Sequence, residues 1–115
     1  MAKKKISEES GSDFFKRVID TVQLIPFGRV TTYGSIAKAV GSASAARTVG
    51  WALNSCAGRS DIPCHRVVNR LGNLSGAAYF GTPTMMKELL KAENIDFIDD
   101  AVNMKKHFYE MPQTD

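Results

Sequence analysis

The chain is short of the residues that staple, ligate or span. Cysteine occurs only as Cys56 and Cys64 in 115 residues, eight positions apart and without a paired-ligand pattern. Neither a disulfide framework nor a cysteine-based zinc site is therefore expected, and a reduced compartment is the simpler reading. Histidine is just as scarce, at His65 and His107, so no metal ion and no cofactor is expected. No apolar run approaches the roughly 20 residues that cross a bilayer, and Met1-Ala2-Lys3-Lys4-Lys5 is not followed by the apolar stretch of a secretory signal. A cytoplasmic chain without a membrane partner is the expectation. No segment repeats, and the length suits one small domain with a single core, expected to be a monomer.

What is present is mildly basic. Fifteen Lys and Arg against twelve Asp and Glu give a formal charge of +3, with a pI near 9.0. That balance is compatible with a phosphate-binding face without requiring one. Residues 1–12, rich in Lys, Glu and Ser, read as a disordered lead-in. Phe15, Val18, Ile19 and Val22 then recur at helical spacing, with Ser12 as candidate N-cap and Pro26-Phe27-Gly28 as the stop.

After an extended Arg29-Val30-Thr31, a helix starting at Thr32 would bury Ile36, Ala37 and Val40 and stop at Gly41. A second, starting between Ser42 and Ser44, carries Ala46, Val49, Gly50 and Leu53 on one stripe. Two short helices broken by a glycine turn make a helix-turn-helix over about Thr32 to Cys56. Arg47 and Trp51, four apart on the second helix, share a face away from that stripe and suggest a contact surface. Val67-Val68 reads as a short strand. Thr82-Pro83 offers a cap and a first-turn proline for a last helix, whose inner stripe is Met86, Leu89, Leu90 and then Glu93. A carboxylate on such a stripe needs a partner. Residues 95–115 lack a clear period and read as a tail packing its aromatics on the domain.

The stretch Pro63-Cys64-His65-Arg66-Val67-Val68 carries the chemistry. A thiol beside an imidazole and a guanidinium, on a turn pinned by proline, suits a reactive thiolate, because positive charge and hydrogen bonding lower a thiol pKa. With Gly28-Arg29-Val30-Thr31-Thr32-Tyr33-Gly34 and Ala45-Ala46-Arg47-Thr48-Val49-Gly50, it resembles the active-site domain of the O6-alkylguanine-DNA alkyltransferases from about Phe14 to about Asn94. These proteins move an alkyl group from a damaged guanine in double-stranded DNA onto their own cysteine.

The resemblance implies a mainly α, winged-helix-like helix-turn-helix domain over residues 13–94, with a short β element. It implies Cys64 as nucleophile, His65 as base through a bound water, Glu93 as orienter of the imidazole, and the Tyr33 hydroxyl as acid on the leaving guanine. Arg47 matches the family's finger, which fills the gap left by a flipped nucleotide. Ala46, Trp51 and Thr32 join it as expected DNA-binding residues, the small side chains around Arg47 allowing close approach to a minor groove.

Three departures stand out. Cys56 occupies the place, nine residues after the finger, where the family usually has an asparagine bracing the nucleophile's turn, and Asn54 lies two residues early. Ser75-Gly76 is followed by Ala77-Ala78 where many members have tyrosine. The separate N-terminal domain of many members has no counterpart here. The chain is in this respect also similar to the alkyltransferase-like proteins, small domains that flip alkylated guanine without repairing it and pass it to nucleotide excision repair proteins. Those typically replace the nucleophile with tryptophan or alanine, whereas Cys64 is kept. A helix-turn-helix transcription regulator is the third reading, and it leaves the Cys-His-Glu set idle.

Overall fold

The computed structural model describes residues 13–112, so the expected lead-in and the Ser12 cap lie outside the described residues. Helix α1 covers residues 13–22. Val18 and Val22 are fully buried, and Phe14, Phe15 and Ile19 pack around them. The chain then turns, enters strand β1 (Thr31–Thr32) and passes at once into helix α2 (Tyr33–Ala39). Thr32 is the hinge between the two: its backbone is extended and its hydroxyl accepts a hydrogen bond from the Ser35 amide at 3.0 Å. Gly41, at φ 86°, ends the unit.

A 3-10 turn over Ala43–Ala45 precedes helix α3 (Ala46–Asn54), so the regular helix starts later than the serines suggested. No serine side chain caps it. The two helices form the expected helix-turn-helix. Val49, Ala52 and Leu53 point into the core.

Strand β2 (Val67–Val68) lies parallel to β1, pairing Thr31 with Val67 and Thr32 with Val68. Side chains of a strand alternate in direction, and this pair separates two apolar clusters. Val67 joins the cluster formed by α1, α2 and α3, while Val68 joins Val30, Met86, Leu90, Ile95 and Val102 on the other side. Phe80 packs against both. Each fully buried aliphatic side chain here contributes about 1.5–3 kcal/mol.

One polar atom interrupts this wall. The Thr31 hydroxyl is buried without a hydrogen-bond partner among the described residues. An unsatisfied hydroxyl in apolar surroundings costs more than it returns, so Thr31→Val should raise unfolding free energy by about 1 kcal/mol. Chemical denaturation reads this directly, and a loss of stability would show that the hydroxyl is satisfied in solution.

Helix α4 (Met85–Ala92) begins two residues after the Thr82-Pro83 start expected from sequence. The Met85 amide donates to the Thr82 carbonyl at 3.2 Å, which makes residues 82–84 a turn leading into the helix rather than its first turn. Met86 and Leu90 are buried, while Leu89, expected inside, is 38% exposed. Glu93 is the C-cap, one residue past the helix, and is buried there.

The segment after Glu93 is ordered into elements that the sequence did not announce. Strands β3 (Phe97–Ile98) and β4 (Ala101–Val102) form an antiparallel hairpin, followed by the short helix α5 (Met104–His107). Beyond α5 the backbone runs beside β1: the Val30 amide donates to the His107 carbonyl at 3.0 Å and the Tyr109 amide to the Val30 carbonyl at 2.7 Å. His107 is itself buried, its ring accepting from the Asp96 amide at 2.9 Å and meeting the Gly28 carbonyl at 3.2 Å.

Candidate functional site

One face of α3 points away from the core. Positions 46, 47, 50, 51 and 54 recur at the three- and four-residue spacing of a single helical face. Ala46, Arg47, Gly50, Trp51 and Asn54, with Tyr33 from α2 and Ser75-Gly76 from the following loop, line an open cleft of 390 Å³. The sequence had put Ala46 and Gly50 on the buried stripe. Both are half-buried and also line the cleft, where their small size leaves room for Tyr33, and Ala46 packs against the main core cluster as well. A Cβ on Gly50 would stand 3.9 Å from the Tyr33 ring, and one on Gly76 would stand 3.0 Å from the Tyr33 hydroxyl. Trp51 is 61% exposed at the rim, and Arg47 is exposed beside it.

Burial pushes the Tyr33 phenol above its ordinary pKa, against a pull from the nearby Ser75 hydroxyl, and the neighbouring Cys64 adds to the rise. The phenol thus stays protonated, as a hydrogen donor must.

Cys64 opens a 3-10 turn (Cys64–Arg66) behind Pro63. It is buried and is not among the residues lining the cleft, although it lies within electrostatic reach of Tyr33. Burial pushes its thiol up to about 12, with Cys56 and Asp61 adding to the rise and Arg59 opposing it. This corrects the expectation of a thiolate favoured by its neighbours. Both neighbouring groups are directed elsewhere. Arg66 donates from Nε and Nη2 to the Glu93 carboxylate at 3.0 and 2.9 Å, and from Nη1 to the Ile25 carbonyl at 2.8 Å. His65 Nε2 meets Glu93 Oε2 at 2.7 Å. Among the described residues no hydrogen bond joins the His65 ring to the Cys64 sulfur.

Glu93 is therefore the hub. A carboxylate only accepts, so His65 Nε2 carries the proton of that bond and Nδ1 is the atom left to act as base. The Gly28 amide adds a third donor at 2.9 Å. Burial pushes the Glu93 carboxyl up, but the donors Arg66, Gly28 and His65 outweigh it and hold the group below the usual carboxylate range. The fork from Arg66 was not read as part of this set from the sequence, and only the motif's adjacency to His65 hinted at it. Asn54 was likewise not expected to line the cleft.

At the brace position, the Cys56 sulfur lies 3.7 Å from the Ser55 hydroxyl and packs in the main core. Thr32 caps α2 and lines a groove next to the cleft. Among the described residues there is no group of three or more His, Cys, Asp or Glu that could hold a metal ion. No described helix is long and apolar enough to cross a membrane.

Comparison with known proteins adds a framework to this geometry. A family model described as "6-O-methylguanine DNA methyltransferase, DNA binding domain" matches residues 13–95. The chain is 34% identical over 94 residues to alkyltransferase-like protein 1 of Schizosaccharomyces pombe, covering 82% of this chain and 87% of that protein. It is 43% identical over 68 residues to a methylated-DNA–protein-cysteine methyltransferase of Methanosarcina acetivorans, but that match spans 59% of this chain and 44% of the relative.

Among solved structures, Schizosaccharomyces pombe Atl1 in complex with damaged DNA containing O6-carboxymethylguanine superposes with a TM-score of 0.77. It is 31% identical, over 85% of this chain and 95% of that one. Mycobacterium tuberculosis OGT in complex with DNA gives 0.63 at 39% identity, over 70% of this chain and 49% of that one. The matched region holds α1, both helices of the helix-turn-helix, the cysteine turn and the Glu93 hub, so the chain belongs to the 6-O-methylguanine DNA methyltransferase DNA-binding-domain family.

Proposed function

We propose that this chain binds duplex DNA containing O6-alkylguanine, flips the damaged nucleotide into the Tyr33–Trp51 cleft, and transfers the alkyl group irreversibly to Cys64. The observation that carries the reading is the retained thiol on a turn whose histidine is held by a buried carboxylate at 2.7 Å, next to a cleft with an exposed arginine and tryptophan at its mouth. Arg47 would enter the base stack where the nucleotide leaves it, with Ala46 letting α3 approach the groove.

The chemistry then balances with these side chains and one relaying water. The Cys64 proton passes, through a water, to His65 Nδ1, and Glu93 stabilises the resulting imidazolium. The thiolate attacks the alkyl carbon. An S–C bond forms, the C–O6 bond breaks, and the electron pair stays with the guanine. Tyr33 donates its proton to a ring nitrogen so that the base leaves neutral. The product is S-alkylcysteine, which nothing in the site regenerates, so each molecule acts once.

The thiol's high pKa supports a second reading. A buried thiol that stays protonated in the free protein, in a chain similar to an alkyltransferase-like protein, fits a lesion sensor that flips alkylated guanine and recruits nucleotide excision repair proteins. Incubation with an O6-methylguanine duplex, followed by mass spectrometry of the peptide containing Cys64, separates the two. Transfer predicts one added methyl group on that peptide, one turnover per molecule, and complete loss of transfer in Cys64→Ala with lesion binding kept. An unmodified Cys64 in a tight lesion complex selects the sensor, and no preference for the lesion leaves a helix-turn-helix regulator.

A further inference from the structure

The arginines of this chain divide sharply by partner. Arg17 pairs with Asp13, Arg59 with Asp61 and Arg66 with Glu93, and Arg29 donates to the carbonyls of His107 and Phe108. Arg47 and Arg70 alone have no acidic or carbonyl partner among the described residues. Arg47 lines the cleft. Arg70 lines a second, adjoining groove of 470 Å³, and Tyr33 and Ala46 belong to the walls of both. Each of these two adjoining grooves thus has in its lining one guanidinium without such a partner. Next to Arg70, Leu71 is 59% exposed.

The turn that carries these two side chains is built to hold still. The Asn69 side-chain oxygen accepts from the amides of Leu71 and Asn73, each at 2.9 Å. The Asn69 backbone closes the loop, donating to the Asn73 carbonyl at 3.1 Å and accepting from the Gly72 amide at 2.9 Å. From below, the Val102 amide of β4 donates to the Gly72 carbonyl at 2.9 Å. Gly72 is at φ 88°, and a Cβ there would stand 2.5 Å from the Val102 carbonyl oxygen, so only glycine fits.

We propose that the Asn69–Asn73 turn is a second contact with the DNA duplex, in which Arg70 takes a backbone phosphate and Leu71 packs against the neighbouring sugars. The strand leaving the cleft then runs along the groove toward this turn, an assignment that rests on the cleft being the lesion pocket. Phosphate contacts position a protein without reading sequence or damage. Arg70 therefore supplies affinity shared by all duplexes, whereas Arg47 supplies preference for the lesion.

Binding of the full chain to matched duplexes with and without O6-methylguanine, across a salt series, tests this. Arg70→Ala should weaken both complexes by the same factor, and it should flatten the slope of log affinity against log salt by about 0.9, the share of one phosphate. Arg70→Lys should restore the slope, and Leu71→Ala should weaken both complexes without changing it. Arg47→Ala should instead collapse the ratio between damaged and undamaged DNA. If the wild type prefers the lesion and Arg70→Ala leaves affinity and slope unchanged, the turn is not a contact and the proposal falls. If no lesion preference exists but Arg70→Ala still flattens the slope, the turn contact stands and the cleft reading falls.

Discussion

Glu93→Ala is expected to cost about 3–5 kcal/mol of folding free energy, the usual result of stripping one partner from a buried ion pair. The substitution leaves the Arg66 guanidinium without its charge partner, and strands His65 Nε2 and the Gly28 amide. At roughly 4 °C per kcal/mol for a domain of this size, the melting temperature should fall by roughly 12–20 °C.

Glu93→Gln separates charge from shape. It retains an acceptor of similar size, so the loss should be smaller, and what it removes is the pH response. The folded carboxyl sits below the usual carboxylate range, so on acidification the unfolded chain takes up its proton first. The stability contributed by Glu93 is complete above the usual carboxylate range and is lost as pH falls through the lower, folded value. Melting curves from neutral to acid pH should show that loss in the wild type and a shallower one in Glu93→Gln. A Glu93→Ala protein within about 1 kcal/mol of the wild type would show that Arg66 finds another partner.

The parts of the fold that were legible in the sequence are those in which a local signal and its structural consequence lie within one turn of chain. Thr32 caps a helix whose first turn it can reach, and Val18 and Val22 face inward because they are four apart. The parts that were not legible depend on distant partners. Strands of two residues, such as Phe97–Ile98 and Ala101–Val102, are too short to show a period, and their hairpin turns through Asp99 and Asp100 at φ 50° and 71° rather than through glycine.

The site divides in the same way. Arg47 and Trp51 at helical spacing announced a shared face, and they line one cleft. The adjacency of Cys64, His65 and Arg66 suggested a thiol under positive charge. A carboxylate 27 positions after Arg66 in sequence holds the side chains of both neighbours, and no local pattern encodes that competition.

If Cys64 accepts the alkyl group, Tyr33→Phe should slow single-turnover transfer by about 10²- to 10⁴-fold, the range expected for loss of a positioned general acid. The Tyr33 ring lies beside Gly50 and its hydroxyl beside Gly76 and Ser75, so phenylalanine preserves the wall and removes the hydroxyl with its Ser75 contact. Lesion affinity should therefore stay near the wild-type value while the rate falls. The two pH profiles should differ as well. Burial keeps the phenol protonated past its ordinary pKa, so the wild-type rate should not decline through loss of the donor as pH rises across the neutral and mildly alkaline range. Deprotonation of Cys64 becomes easier over the same range, since its thiol starts from about 12. The rate should then rise with pH in both proteins, by parallel amounts, with the variant offset below by the donor's share. A Tyr33→Phe protein that transfers at the wild-type rate would reduce Tyr33 to a wall and leave the departing guanine to take its proton from water.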